Sequence, residues 1–244
     1  MIPAHLASTR LPRKVLLPIS GKPMLQHVYE RVARAQCRPD VFVATGDDDI
    51  AEAVSDFGGQ VLRTCHEHAS GTDRIAEAVD GLDYGLIVNV QADEPLVRPS
   101  EIDSLAEVFA DSTIQMATLS RPVASPAEIE DPNRVKVVVD GVGDALYFSR
   151  APIPHDAARR EPAIASRIHL GLYAYRLEFL QRFASSPRGR LEKLESLEQL
   201  RALEQGWKIR VIETDWSALS VDTAEDLERV RNLMSDGSGT FDVG

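Results

Sequence analysis

The sequence predicts an α/β protein built on a mostly parallel, doubly wound sheet that is flanked by helices. Three observations predict this class. Short apolar runs rich in β-branched residues, of which residues 86–90 form the clearest, have the composition of strands buried on both faces. These runs alternate with amphipathic segments over about the first 110 residues, which implies parallel strands joined by helices. After Asp111 several strands follow without full helices between them, which predicts a smaller mixed α/β lobe.

The first half of the chain supplies the elements of the parallel sheet. A polar, basic loop over residues 5–14 comes first, and a turn at residues 20–23 leads into a helix whose core face is apolar. That face is predicted to contain Met24, Leu25, Val28 and Val32. The remaining predicted strands are residues 41–44, 60–63 and 86–90. The remaining predicted helices are one that follows residues 45–49 and ends at about Phe57, one opened by the cap at Ser70 or Thr72, and one over residues 99–110.

The second half predicts the mixed lobe and a final helix. Leucine recurs about every three residues over 191–204, which predicts one continuous helix, and Glu192, Glu195 and Glu198 are expected on its solvated side. Asp222 is a candidate N-cap of the last helix, and residues 235–244 are predicted to be a flexible tail. The predicted strands are residues 116–122, 134–139, 145–148, 169–176, 208–213 and 218–221, with a hairpin turn at 140–143.

Composition limits the classes of function. The 244 residues carry a net charge of −11, which argues against a broad nucleic-acid or anionic-membrane surface. No apolar run approaches the roughly 20 residues that span a bilayer, and the amino end lacks the pattern of a signal peptide. Cys37 and Cys65 have no metal-like spacing and are expected to be free thiols, with a disulfide as the alternative. We therefore expect a cytoplasmic protein without nucleic-acid or membrane partners.

Acidic side chains follow the apolar run of residues 86–90. Gln91, Asp93 and Glu94 come directly after it, and Pro95 stops the strand. Ligands of open α/β sheets bind outside the carboxyl ends of the strands, where a carboxylate can hold Mg²⁺. The alternative interpretation is an acidic turn whose side chains are solvated.

Basic and hydroxyl side chains are concentrated in the loop at residues 5–14. Ser8, Thr9, Arg10 and Lys14 are the kinds of group that surround a polyphosphate, although a solvated basic loop remains the alternative. Arg74 lies in the first turn of a predicted helix, where the helix dipole disfavours a cation. This local conflict indicates a functional arginine, with an exposed surface arginine as the alternative.

Nine segments, in this order, resemble one family along essentially the whole chain. The segments are residues 2–14, 21–24, 70–74, 88–95, 132–136, 145–150, 169–173, 197–201 and 221–223. Together they resemble the 3-deoxy-manno-octulosonate cytidylyltransferases, the CMP-KDO synthetases of lipopolysaccharide biosynthesis. The resemblance implies a Rossmann-like sheet of the nucleotide-diphospho-sugar transferase type. It also implies Mg²⁺ as cofactor and the transfer of CMP from CTP to the anomeric oxygen of 3-deoxy-D-manno-octulosonate (KDO), with release of pyrophosphate.

The resemblance also assigns roles to residues. Arg10 and Lys14 would bind the triphosphate, with Ser8 nearby, and together with Asp93 they form the implied catalytic set. The resemblance implies that Arg74 and Gln91 help to hold the nucleotide, that Asp93 and Asp222 ligate Mg²⁺, and that His169, Tyr173, Glu198 and Gln199 lie near the sugar acid. Residues 1–244 would form one nucleotidyltransferase domain. Within it, about 1–122 would bind the nucleotide, and 123–215 would bind the sugar acid and form a homodimer.

The sequence departs from the family pattern around the implied nucleotide pocket. The family has further apolar residues before Ile2, so we expect a short first strand. It has Arg where this chain has His5, Gly at Arg13 and Ala92, and Asp at Gly46. If position 13 needs a positive φ, Arg costs about 1 kcal/mol there. These departures leave open a catalytically weakened nucleotide-binding scaffold, and a related sugar acid such as 8-amino-KDO is a further alternative with the same chemistry.

Overall fold

The computed structural model describes residues 1–155 and 166–235, so all but one residue of the predicted tail at 235–244 lies outside the described residues. The chain forms two compact units, one of residues 1–104 with the carboxyl-terminal segment from Ala218, the other of residues 105–217. Both contain helices and strands, and the α/β class is confirmed. The division into parts that bind nucleotide and sugar acid concerns function and stays a prediction.

The first unit contains a parallel sheet. Its elements are β1 (Ile2–Pro3), β2 (Pro18–Ile19), β3 (Lys22–Pro23), α1 (Met24–Val32), β4 (Phe42–Thr45), α2 (Asp48–Asp56), β5 (Gln60–Arg63), α3 (Gly71–Ala78), β6 (Leu86–Asn89) and α4 (Pro99–Glu107). Strands β1, β4 and β5 pair in parallel in that order. Strand β6 lies beside the amino end, since the Val90 amide donates to Met1 O (3.0 Å) and the Met1 amino group donates to Val88 O (2.8 Å).

The second unit contains a mixed sheet. Its elements are β7 (Met116–Pro122), α5 (Pro126–Glu130), β8 (Lys136–Val139), β9 (Ala145–Ser149), β10 (Arg167–Arg176), α6 (Leu177–Ser185), α7 (Arg190–Glu195), α8 (Leu200–Glu204) and β11 (Arg210–Glu213). Its strands lie in the order β11-β7-β10-β8-β9. β11 is parallel to β7, whereas β10 is antiparallel to both β7 and β8. The second unit therefore mixes parallel and antiparallel strands, as predicted from the strands that follow one another after Asp111 without full helices between them.

Several local predictions are confirmed. The predicted core face of α1 is buried, with Met24, Leu25 and Val28 fully inaccessible. Ser70 caps α3, because its Oγ accepts from the Asp73 amide at 3.1 Å. Strand β1 is short, as expected, with two residues. The helix from Pro99 ends in a 3₁₀ turn, Val108–Ala110, and a further 3₁₀ turn, Lys14–Leu16, closes the basic loop.

The prediction of one helix over 191–204 is wrong, because Ser196 interrupts it in the left-handed conformation (φ 52°, ψ 48°). A buried ion pair explains the interruption. Arg201 donates from Nε and Nη2 to the two carboxylate oxygens of Glu192, at 2.8 and 2.7 Å. Residues nine apart lie about two and a half turns apart and therefore on opposite faces of one helix. Glu192 is accordingly buried, not solvated as predicted.

Two predictions near the carboxyl end are also wrong. Residues 218–221 form no strand, and the Val221 amide instead donates to Asp93 O at 2.9 Å. The last helix is α9 (Ala224–Ser235), and its cap is Thr223 rather than Asp222. The Asp226 amide donates to Thr223 Oγ1 (3.2 Å) and the Thr223 amide donates to Asp226 Oδ2 (3.0 Å), a reciprocal capping box. The Asp222 side chain is therefore available for another role.

No helix among residues 1–155 and 166–235 has the length and apolar character needed to cross a membrane.

Candidate active site

Four predicted site residues meet at the carboxyl end of β6. Lys14 Nζ donates to Asp93 Oδ2 at 2.5 Å, to Asp222 Oδ1 at 2.9 Å and to Val221 O at 3.1 Å. The guanidinium of Arg10 also contacts Asp222 Oδ1, at 2.9 Å. The loop after β6, the 3₁₀ turn at Lys14 and the segment before α9 thus bring two carboxylates and two cations into contact.

The electrostatics of this cluster favour a cation between the two carboxylates. Burial alone lowers the pKa of Lys14, but Asp93 and Asp222 outweigh it, so the pKa of Lys14 is raised. The ammonium group marks the point on which oxygen atoms of both carboxylates converge. Carboxylate oxygens suit Mg²⁺, which usually takes one or two protein carboxylates and completes its shell with water and phosphate. Within the described part of the chain no group of three or more acidic, His or Cys side chains could hold a metal ion, and Asp93 and Asp222 supply two carboxylates.

A cavity of about 770 Å³ lies in the same unit and has the size of a small-molecule site. Arg74 and Gln91, whose role in holding the nucleotide stays a prediction, line it, and Gln91 Nε2 donates to Asn89 Oδ1 at 3.4 Å. The remaining lining residues are Pro3, His5, Leu6, Ala7, Asp47, His66, Glu67, His68, Ala69, Ser70 and Gly71.

Arg74 is a buried residue of the cavity wall, so the alternative of an exposed surface arginine is wrong. Its Nη1 donates to Thr64 Oγ1 (2.7 Å) and Cys65 O (3.1 Å), and its Nη2 donates to His66 O (3.0 Å). Arg74 therefore holds the segment after β5 in place. Ser8 supports the basic loop in a similar way, because its Oγ accepts from the Leu11 amide at 3.4 Å.

Sequence reasoning missed Asp47 and the close approach at Gly46. Asp47 is buried at the carboxyl end of β4, where its Oδ2 accepts from the Leu6 amide at 3.1 Å. A Cβ atom on Gly46 would lie 2.6 Å from Cys65 O, so this backbone excludes the family's Asp. The position after a parallel strand was the available signal for Asp47, whereas nothing local reveals the contact with Cys65.

The other departures from the family pattern have different structural consequences. Arg13 has φ 57° and ψ 24°, so the position does adopt the left-handed region that favours glycine. Its guanidinium contacts Asp49 Oδ2 at 2.8 Å on the surface. Ala92 is buried beside Asp93. His5 faces the cavity, and its pKa is lowered by burial and by nearby Arg74.

The residues predicted to lie near the sugar acid belong to the second unit. His169 Nε2 lies 3.0 Å from Thr118 Oγ1, and its ring lies 5.4 Å from that of Tyr173. Burial lowers the pKa of His169 to about 3 and raises that of Tyr173. The charges of Tyr175 and Glu198 add to the effect of burial in raising the pKa of Tyr173.

Gln199 is also buried, and its Nε2 has no hydrogen-bond acceptor among the residues that the structure describes. An unsatisfied buried amide favours a site that a polar ligand completes. Glu198 Oε1 accepts from Arg201 Nη2 at 3.3 Å, so the buried ion pair that interrupts the helix also supports the turn carrying both residues.

The comparisons with known proteins agree with this fold. A family model described as Cytidylyltransferase matches residues 1–209, and the chain is a cytidylyltransferase. A 3-deoxy-manno-octulosonate cytidylyltransferase of Syntrophotalea carbinolica is 52% identical over 94% of this chain and 95% of its own length. The chain belongs to the 3-deoxy-manno-octulosonate cytidylyltransferase family.

Two further similarities bear on the substrates. A solved structure described as CMP:2-keto-3-deoxy-manno-octonic acid synthetase complexed with CTP is 42% identical, covers 97% of each chain and has a TM-score of 0.92. An 8-amino-3,8-dideoxy-manno-octulosonate cytidylyltransferase of Shewanella baltica is 46% identical over 96% of this chain and 97% of its own length.

Proposed function

We propose that this protein transfers CMP from CTP to the anomeric oxygen of KDO, giving CMP-KDO and pyrophosphate. The family to which the chain belongs supports this reaction. The observation that carries the proposal is the convergence of Asp93 and Asp222 on Lys14, because these residues come from distant parts of the chain. That arrangement suits the transfer of an anionic phosphoryl group.

The reaction has to bring two anions together. The sugar acid carries a carboxylate, and its anomeric hydroxyl must reach an α-phosphate that is itself negative. Arg10 and Lys14 would neutralise the triphosphate and the leaving pyrophosphate, Arg as a planar fork and Lys as a point charge. Catalysis of this kind depends on positioning and on charge neutralisation, so the chain needs no covalent intermediate.

Asp93 and Asp222 would hold Mg²⁺ in this proposal. When bound, the ion supplies positive charge at the reacting phosphate and favours loss of the hydroxyl proton of the sugar acid. Lys14 and Arg10, which contact these carboxylates, are placed to bind the phosphates beside them. CTP and the sugar acid are both anionic, and the positive charges of Arg10 and Lys14 lower the electrostatic cost of bringing them together.

The nucleotide and the sugar acid would use separate sets of side chains. Ser8, Arg74 and Gln91 would hold the nucleotide, with Arg74 acting through the segment of residues 64–66 that it supports. His169, Tyr173, Glu198 and Gln199 would contact the sugar acid. Their hydrogen-bonding groups suit the hydroxyls of an octulosonate.

A pyrophosphate-release assay tests the proposal. Purified protein with CTP, Mg²⁺ and KDO should release pyrophosphate, and omission of KDO should abolish release. Release with 8-amino-KDO but not with KDO would favour the second candidate substrate, which the Shewanella baltica relative supports. CTP binding without release in the presence of either acid would contradict the proposed reaction and favour a nucleotide-binding scaffold.

The proposal includes a homodimer in the cytoplasm that serves lipopolysaccharide biosynthesis. Among the residues of the second unit that the structure describes, three large hydrophobic side chains are exposed, namely Val142 (65%), Leu146 (61%) and Leu194 (77%). Covering them in a dimer would remove apolar surface from water. Sedimentation analysis should give the mass of two chains, and a single-chain mass at all concentrations would contradict the dimer.

A further inference from the structure

The hydroxyl group of Thr118 in β7 lies at the centre of a small buried network. Its Oγ1 lies 2.8 Å from Leu172 O, 3.1 Å from Leu170 O and 3.0 Å from His169 Nε2. The pairing of β10 with β7 shifts register between Leu170 and Tyr173, beside these carbonyl groups. Thr118 is fully buried, so water does not compete for these contacts.

The single proton of this hydroxyl determines the direction of each hydrogen bond. Carbonyl oxygens only accept, so the Thr118 proton is donated to one of the two leucine carbonyls. Donation to His169 instead would leave the hydroxyl oxygen against two carbonyl oxygens with no proton between them, which is costly in a buried site. His169 Nε2 therefore carries a proton and donates it to Thr118 Oγ1.

The other ring nitrogen of His169 is then an acceptor. Burial keeps the imidazole neutral by lowering its pKa to about 3, and a neutral imidazole carries one N–H only. Among residues 1–155 and 166–235, Nδ1 has no hydrogen-bond partner, while the ring packs edge-on against Phe148 at 5.1 Å. The Nδ1 lone pair is thus left for a group that the described chain does not supply.

We propose that Thr118 is a positioning residue that fixes His169 in its Nε2–H form, so that Nδ1 accepts a hydrogen bond from a hydroxyl group of the sugar acid. The contact between His169 and the sugar acid rests on the proposed function. The tautomer of His169 rests on the geometry of the second unit alone. An acceptor at this position attracts a hydroxyl and repels a carboxylate. It therefore orients the sugar acid with its carboxylate directed elsewhere.

Nitrogen NMR of the free protein tests the tautomer without any activity measurement. With ¹⁵N-labelled histidine, the signals of His169 are assigned by their loss in His169→Gln. Near neutral pH they should show a protonated Nε2 and an unprotonated Nδ1. Thr118→Ser should keep this pattern, and Thr118→Val should lose it. A protonated Nδ1 in the unmodified protein, or an unchanged tautomer in a folded Thr118→Val variant, would overturn the inference.

Steady-state kinetics test the proposed hydrogen bond between His169 and the sugar acid. Thr118→Val should raise KM for KDO by about five- to tenfold, the effect of one misdirected hydrogen bond, while KM for CTP changes less than about twofold. Thr118→Ser should restore KM for KDO. Ser120→Ala is the matched control, because Ser120 lies in the same strand and its buried hydroxyl has no partner among the described residues. It should leave both the tautomer and KM for KDO unchanged.

The NMR and kinetic experiments together distinguish a failure of the tautomer assignment from a failure of the proposed contact with the sugar acid. Equal increases in both KM values would indicate general damage and overturn the positioning role. If the unmodified protein shows no reaction with KDO, the substrate half fails together with the proposed function, and the NMR pattern still decides the tautomer. If Thr118→Val does not fold, the unmodified protein and Thr118→Ser decide it.

Discussion

At the residue scale, adjacent carboxylates at the end of β6 have different environments. Asp93 meets Lys14 and is partly exposed, whereas Glu94 is buried. Burial, followed by the charge of Asp93, raises the pKa of Glu94 to about 8, and its Oε1 accepts from Ser220 Oγ at 3.2 Å. Near neutral pH, Glu94 is therefore mainly a neutral acid, and only Asp93 suits a cation. The sequence showed the acidic pair but not this difference, because burial depends on the distant segment around Ser220.

The first prediction concerns Asp93. Asp93→Asn should lower turnover at least about 100-fold, because it removes a charged ligand from the proposed metal site. Steady-state release of pyrophosphate at saturating CTP and KDO measures the effect. Asp48→Asn, at an exposed surface carboxylate, should retain normal turnover. Near-normal turnover of Asp93→Asn would contradict the metal assignment.

The second prediction concerns the backbone at Arg13. Arg13→Gly should stabilise the protein by about 1 kcal/mol, because φ is 57° and glycine adopts this region without strain. The ion pair with Asp49 is more than half exposed on both sides and contributes little. Urea unfolding measures the change, with Asp49→Asn as a control that removes the ion pair but keeps the backbone. An equal gain in both variants would show that the backbone conformation is not the cause.

At the scale of elements, short-range pattern predicted most strands well. The predicted bounds of β5 and β7 are those observed, since apolar runs and turn residues mark both ends. The helix at 191–204 failed because leucine spacing alone does not reveal that Glu192 pairs with Arg201. The cap of α9 was misplaced by one residue, since the reciprocal contact from Asp226 selects Thr223.

The third prediction concerns the break between α7 and α8. Ser196→Gly should maintain or slightly raise the melting temperature, because φ at this position is 52°. Ser196→Val should lower it, since a β-branched residue is strained there. Calorimetry or circular dichroism measures both variants. A stable Ser196→Val with a continuous helix would show that the ion pair does not force the interruption.

At the scale of the whole molecule, the net charge of the chain does not describe the charges at the proposed phosphate site. The chain carries a charge of −11, which argues against a broad surface for binding polyanions, yet Arg10 and Lys14 both contact Asp222 at the proposed phosphate site. Acidic pH also affects the whole fold. His169 is neutral when folded, with a pKa near 3 against an ordinary value of 6.5. Unfolding in mild acid therefore takes up a proton at this residue.

The fourth prediction follows from that linkage. Because the folded pKa of His169 is depressed, its contribution is fully present above pH 6.5 and is lost as pH falls towards 3. The free energy of unfolding should fall with decreasing pH in this window, by at most about 1.4 kcal/mol per pH unit from this residue. His169→Gln should flatten the dependence in urea titrations. An identical pH profile in that variant would contradict the depressed pKa.

The sequence by itself determined the α/β class, most of the strands, the acidic end of β6 and the family. These features are local or serial, so residue spacing carries them. Only the tertiary structure decided that Asp93, Asp222 and Lys14 meet, that Arg74 supports a cavity wall, and that Gly46 allows Cys65 to approach. It also decided that Thr118 Oγ1 lies beside His169 Nε2. These contacts join residues that are separated in the chain, by eight to ten positions at Arg74 and by far more at Asp93 and Asp222, and no local pattern identifies the partners.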